Sequence, residues 1–141
     1  MSDFSEQQKQ LKIQKGIRKR EDEIVNLIQI ALDNHNSYGD LEESQFRNLV
    51  RVSDATDSTE VIKNFLLYQV GRDKKWGRGQ DSLAFQIIQH IDSKIKNIAS
   101  KIAQEAKTDD ADDLKNIHLE LTRRYLGYGA RYLVYKRKGE I

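Results

Sequence analysis

Residues 71–79 read GRDKKWGRG, so the chain's one tryptophan, Trp76, stands among Arg72, Lys74, Lys75 and Arg78 and between glycines. Cationic side chains neutralise phosphates, and glycines let backbone amides approach them closely. An aromatic ring beside such cations can stack on an unpaired base. Two readings of Trp76 stand at this level: a stacking ring, or a lid folded back over the end of a helical domain. The four cations likewise read as an anion-binding set or as the solubilising charges of a turn.

A second constellation closes the chain. Tyr125, Tyr128, Tyr132 and Tyr135 recur at three- and four-residue steps, flanked by Arg123, Arg124, Arg131, Lys136 and Arg137. A stripe at helical spacing is more often core than stacking platform, and Gly127, Gly129 and Ala130 allow another helix close approach. The flanking cations fall on different faces of a helix, so they cannot all meet one ligand.

The residue types that carry catalysis do not assemble. His35, His90 and His118 form no pair at four-residue spacing and no Glu-x-x-His, so no metal site is expected. Small basic helical ribonucleases place an arginine shortly before a histidine, but positions 28–30, 83–85 and 111–113 hold none. Glycines 71, 77 and 79 are not followed by the Lys-Ser/Thr of a phosphate-binding loop. Asp109 and Asp110 lack an apolar neighbourhood that would raise a carboxyl pKa. The chain reads as a non-enzyme without a cofactor, and binding is what remains.

The elements that position these residues are helical. The chain has 141 residues, enough for one core, and no proline, which helix interiors expel. It has no cysteine, and no apolar run reaches the ~20 residues of a membrane span. A cytoplasmic protein that does not meet a membrane is the expectation. The net charge of +2 conceals segregation. Acids gather at residues 21–23 and 109–113, bases at 9–20, 72–78 and 123–138, and such local positive fields suit a polyanion.

Periodicity predicts an all-α bundle of about five helices in a single domain. A long N-terminal helix spans about residues 5–34 on Leu11, Ile17, Ile24, Leu27, Ile28, Ala31 and Leu32, with residues 1–20 frayed or extended. Asp40-Leu-Glu-Glu43 has capping-box spacing before a helix carrying Phe46, Leu49 and Val50. Asp57-Ser-Thr-Glu60 repeats it before Val61, Ile62, Phe65, Leu66 and Val70, with Gly71 as a left-handed stop. Ala84, Ile87, Ile88, Ile91, Ile95, Ile98 and Ile102 mark a fourth helix. Thr108 or Asp109 caps a fifth, which runs from Leu114 to Lys138 and ends in cations that suit its negative end.

Three stretches carry a resemblance. LEESQFRN (residues 41–48), FLLYQVGR (65–72) and LTRRYLGYGARYLVYK (121–136) are similar, in order and spacing, to segments of the small helical subunit of type III CRISPR–Cas effector complexes. The resemblance extends over roughly residues 40–138. Glu42 and Glu43 stand where that family commonly has hydroxyl residues, and the N-terminal helix and the Trp76 loop have no counterpart in it. It implies a non-catalytic structural subunit whose copies line a ribonucleoprotein filament beside guide RNA and target RNA, packed against other effector-complex subunits. Arg47, Arg72 and Lys136 are the basic residues it singles out, and charge alone adds Arg51 and Arg78. Base pairing with the guide would read sequence while the protein holds backbone. The alternative is a helical protein–protein adaptor that binds no nucleic acid.

Overall fold

In a computed structural model describing residues 2–139, with side chains from Phe4 onward, seven helices and no strand are found among the described residues. The organising element is α7 (Ala111–Val134), 24 residues long. At about 1.5 Å per residue it spans the molecule. Ile117, Leu121, Tyr125, Leu126 and Leu133 are buried along it. It packs against α2 (Glu21–Asp33), α3 (Glu43–Ala55) and α6 (Lys96–Glu105). The tightest point is Gly129, where a Cβ would come within 2.6 Å of Phe46 Cζ on α3 and 2.7 Å of Ile28 Cγ1 on α2.

The single long N-terminal helix expected over residues 5–34 is instead two: α1 (Ser2–Lys19) and α2, divided at Arg20 (φ −110°, ψ 9°). Arg18 and Lys19 close α1, and Glu21, Asp22 and Glu23 open α2. Each charge sits at the helix end of opposite polarity, which favours two dipoles over one. The break also lets α1 lie on α6 while α2 turns onto α7. Arg20 fastens the corner, its Nη2 donating to Glu105 Oε2 at 2.5 Å.

Caps fall one or two residues from their expected places. Glu42, not Asp40, precedes α3, and its N–H donates to Gln45 Oε1 at 3.0 Å. Ser58 precedes α4 (Thr59–Arg72), and Asp110, accepting from the Asp112 N–H at 2.8 Å, caps α7. Gly71 is not a left-handed stop: α4 continues through it, and the positive-φ glycines are Gly77 and Gly79.

The isoleucine ladder is one rod with a change of pitch. α5 (Leu83–His90) passes through a π-helical turn at Ile91–Ile95 into α6. The extra residue in that turn keeps both Ile91 and Ile95 fully buried. His118 on α7 donates from Nε2 to the Ile91 carbonyl at 2.7 Å and so pairs an oxygen at the turn. No helix among the described residues is long and apolar enough to cross a membrane.

Candidate nucleic-acid interface

The loop that joins α4 to α5 is built around Trp76, which is fully buried. Its ring lies 5.4 Å from that of Phe46, tilted by 35°. Of the two readings the sequence leaves open, the lid describes the structure. The glycines serve this packing. Gly77 (φ 81°) lies so close to Ser37 that a Cβ would meet its carbonyl oxygen at 2.1 Å. The Gly39 N–H donates to the Lys75 carbonyl at 3.0 Å, and the Ala84 N–H to that of Trp76 at 3.2 Å.

With the tryptophan turned inward, the neighbouring cations turn outward. Lys74 and Arg78 line one open groove of about 460 Å³, with Asn36, Tyr38 and Asp81 also on its wall. Arg72 is exposed, its guanidinium carbon 5.5 Å from the centre of the Tyr68 ring. Lys75 instead pairs with Glu42 at 3.1 Å.

On α3, Arg47 and Arg51 are exposed one turn apart, and Arg51 donates to Asn48 Oδ1 at 3.0 Å. Arg131 is exposed on α7. Among the described residues, none of Arg47, Arg51, Arg72, Lys74, Arg78 and Arg131 is within ion-pair distance of a carboxylate.

The other cations of the closing helix are occupied. Arg123 donates from Nε to the Ser53 carbonyl and from Nη2 to that of Thr56, both at 2.8 Å, and so satisfies the open end of α3. Arg124 bonds Glu120 at 2.7 Å and also pairs with Glu21, tying α7 to α2. Lys136 lies 2.9 Å from Asp33, whose carboxylate also accepts from the Tyr132 hydroxyl at 2.6 Å. These two donors, Tyr132 first, hold the Asp33 carboxyl below its usual range. Arg137 donates to the Leu41 and Gly39 carbonyls at 3.0 and 3.1 Å, and its guanidinium lies over the Tyr38 ring.

The tyrosine stripe grades from core to surface: Tyr125 is fully buried, Tyr128 and Tyr132 are half-buried, and Tyr135 is exposed. Of the histidines, His35 is exposed, His90 meets the Tyr125 hydroxyl, and His118 serves the π turn. The eleven basic residues marked in the sequence therefore divide. Six face solvent with no carboxylate in ion-pair distance among the described residues; Arg137 is exposed as well but bonds two carbonyls, and Lys75, Arg123, Arg124 and Lys136 are engaged within the fold. The six lie on α3, α7, the end of α4 and the loop, and the groove brings together Lys74 and Arg78.

One surface escaped notice in the sequence. Val61, Leu67 and Tyr68 on α4 are exposed, and with Phe85 and Ile88 of α5 they form an apolar face. The signal was α4 itself, TEVIKNFLLYQVGR, which is apolar on nearly every side and so exceeds what one buried face can hide. No protein-family model, curated protein or solved structure matches the chain.

Proposed function

We propose that the protein is a non-catalytic structural subunit of a type III CRISPR ribonucleoprotein effector that holds RNA backbone through exposed cations. The observation that carries the binding role is the placement of Lys74 and Arg78 in one groove on a loop pinned by buried Trp76. A pinned loop loses little freedom on binding, so the charge is available to phosphate without an ordering cost. Arg47, Arg51, Arg72 and Arg131 add exposed cations on α3, α4 and α7. The assignment to an effector rests on the family resemblance of residues 40–138.

Such contacts are electrostatic and indifferent to sequence, with each phosphate neutralised releasing counterions. Affinity for single-stranded RNAs of several sequences, measured by fluorescence anisotropy across salt concentrations, tests this. The expected result is similar affinity for all sequences and a log–log salt slope of about −0.7 per phosphate contacted. Lys74→Ala with Arg78→Ala should shrink that slope. Salt-independent or sequence-selective binding, or no RNA binding by the protein or its complexes, would overturn the reading.

The adaptor alternative is favoured by a different observation, the exposed apolar face of α4. A face of that kind recruits protein rather than phosphate. The two roles meet at Arg72, at the C-terminal end of α4, and otherwise use different residues.

A further inference from the structure

The outer face of α4 is unlike the rest of the surface. Val61, Leu67 and Tyr68 are 47%, 61% and 58% exposed, and an open groove of about 590 Å³ lined by Phe85 and Ile88 runs beside them. Lys63, the cation in that groove, is neutralised by Glu60 at 2.5 Å and Asp92 at 2.6 Å. The floor therefore offers apolar contact without free positive charge, which suits a protein helix and not a polyanion.

The ends of this face differ in sign. Around the N-terminus of α4 stand Asp57, 3.7 Å from Arg123, and Glu60, which shares Lys63 with Asp92, so three carboxylates meet two cations there. At its C-terminus Arg72 and Lys74, both exposed, flank Asp73, so two cations meet one carboxylate. An apolar strip, acidic at one end and basic at the other, is complementary to itself when turned through 180°. Antiparallel pairing also sets the two helix dipoles head to tail, which is favourable.

We infer that α4 is the contact of a twofold dimer, in which α4 of one copy lies antiparallel on α4 of a second copy. With the axis near residue 66, Glu60 faces Arg72 of the other copy, Asn64 faces Tyr68, and Val61 faces Gly71. Among the described residues, no atom beyond Gly71's own stretch of helix lies within 4 Å of where its Cβ would be, which leaves an open seat for the valine. The contact is isologous, so it closes at two copies and does not propagate. One helix pair with its α5 fringe is a small interface, which places the dissociation constant in the micromolar range or weaker.

Sedimentation velocity on nuclease-treated, full-length protein, from micromolar to millimolar concentration at low salt, tests the dimer. Nuclease treatment removes bridging by RNA. The wild type should show a concentration-dependent monomer–dimer equilibrium. Leu67→Asp lies on the exposed side, so its helical circular dichroism should be unchanged while dimer affinity falls by at least about tenfold. Glu60→Arg and Arg72→Glu should each weaken the dimer, and the two together in one chain should restore it. A monomer at all concentrations, an open-ended series of larger oligomers, or a dimer indifferent to Leu67→Asp would overturn the inference. Failure of the double charge exchange to restore association would overturn the antiparallel register.

Discussion

The Tyr125 hydroxyl lies 2.7 Å from Nδ1 of His90, and their rings meet edge to face at 5.7 Å. They share one hydrogen bond whose direction the imidazole tautomer sets, and Tyr125 is fully buried there. Burial, with Lys94 adding repulsion, lowers the His90 pKa below its ordinary 6.5. Burial also lowers that of His118, although its bond to the Ile91 carbonyl opposes the shift. Burial raises the Tyr125 hydroxyl well above 10.0.

These shifts bound the pH range of stability. Below about pH 6.5 the unfolded chain takes up histidine protons that the folded chain resists, so stability falls with pH through that window. Above pH 10 the unfolded tyrosine ionises first, so stability falls again as pH rises. Thermal denaturation should show a plateau near pH 7–9 and a decline already under way by pH 5.5, before carboxylates with lowered pKa values such as Asp33 and Asp113 begin to protonate. His90→Gln and His118→Gln should each flatten the acid limb between pH 7 and 5. A melting temperature constant over that interval would contradict the assignment.

Two glycines of α7 should respond oppositely to the same change. At Gly129 an added Cβ meets Phe46 and Ile28 inside normal contact distance, so Gly129→Ala should destabilise by about 1–3 kcal/mol through overpacking. At Gly127 no atom of another element among the described residues lies within 4 Å of an added Cβ, and Gly127→Ala should stabilise by up to about 1 kcal/mol through helix propensity. Urea denaturation of both variants reads the difference, and like signs would refute the packing described at Gly129.

Trp76 gives a prediction that separates lid from stacking ring. Its indole is fully buried against Phe46, so wild-type fluorescence should be blue-shifted and insensitive to added RNA. Trp76→Ala should cost about 3–5 kcal/mol as a large buried aromatic is removed. Trp76→Phe should cost less, because the indole N–H has no hydrogen-bond partner among the described residues to forfeit. Quenching of the native protein by RNA, with a small stability loss in Trp76→Ala, would mean that the ring faces solvent.

The helical class and most of the core were legible because they rest on local periodicity. Ile87, Ile91, Ile95, Ile98 and Ile102 stand at helical steps in sequence and are buried in space. The break at Arg20 was not legible: no glycine or proline marks it, and Ile17 and Ile24, seven residues apart, stay in phase through it. Gly71 misled because a glycine stops a helix only when the backbone turns left-handed, and here it does not. The candidate site was the hardest part. Which cations are free depends on partners far along the chain, such as the Leu41 carbonyl that Arg137 reaches across 96 positions. Composition near Arg137 carries no trace of that bond, and Arg47, exposed like Arg137, looks the same in sequence although no such bond is found for it among the described residues.

That division of the cations yields the sharpest test of the binding surface. Arg137 holds two carbonyls of the segment before α3, and Arg123 holds two at its end. Arg137→Ala or Arg123→Ala leaves those acceptors unpaired and should cost about 1–2 kcal/mol of stability. Arg123 is half-buried and lies 3.7 Å from Asp57, so Arg123→Ala should leave the salt slope for RNA unchanged. Arg137 is exposed, bonds only carbonyls and lines one groove with Arg47, so its loss should lower the slope as well. Arg47 and Arg51 touch no carboxylate among the described residues, so Arg47→Ala with Arg51→Ala should leave the melting temperature within a degree or two of wild type. The same pair should lower RNA affinity for every sequence alike and reduce the salt slope by about 0.7 for each phosphate no longer neutralised. Paired melting curves and salt titrations on the three variants check this. A change of slope in Arg123→Ala, with none in the Arg47 and Arg51 pair, would reverse the assignment of surface and scaffold.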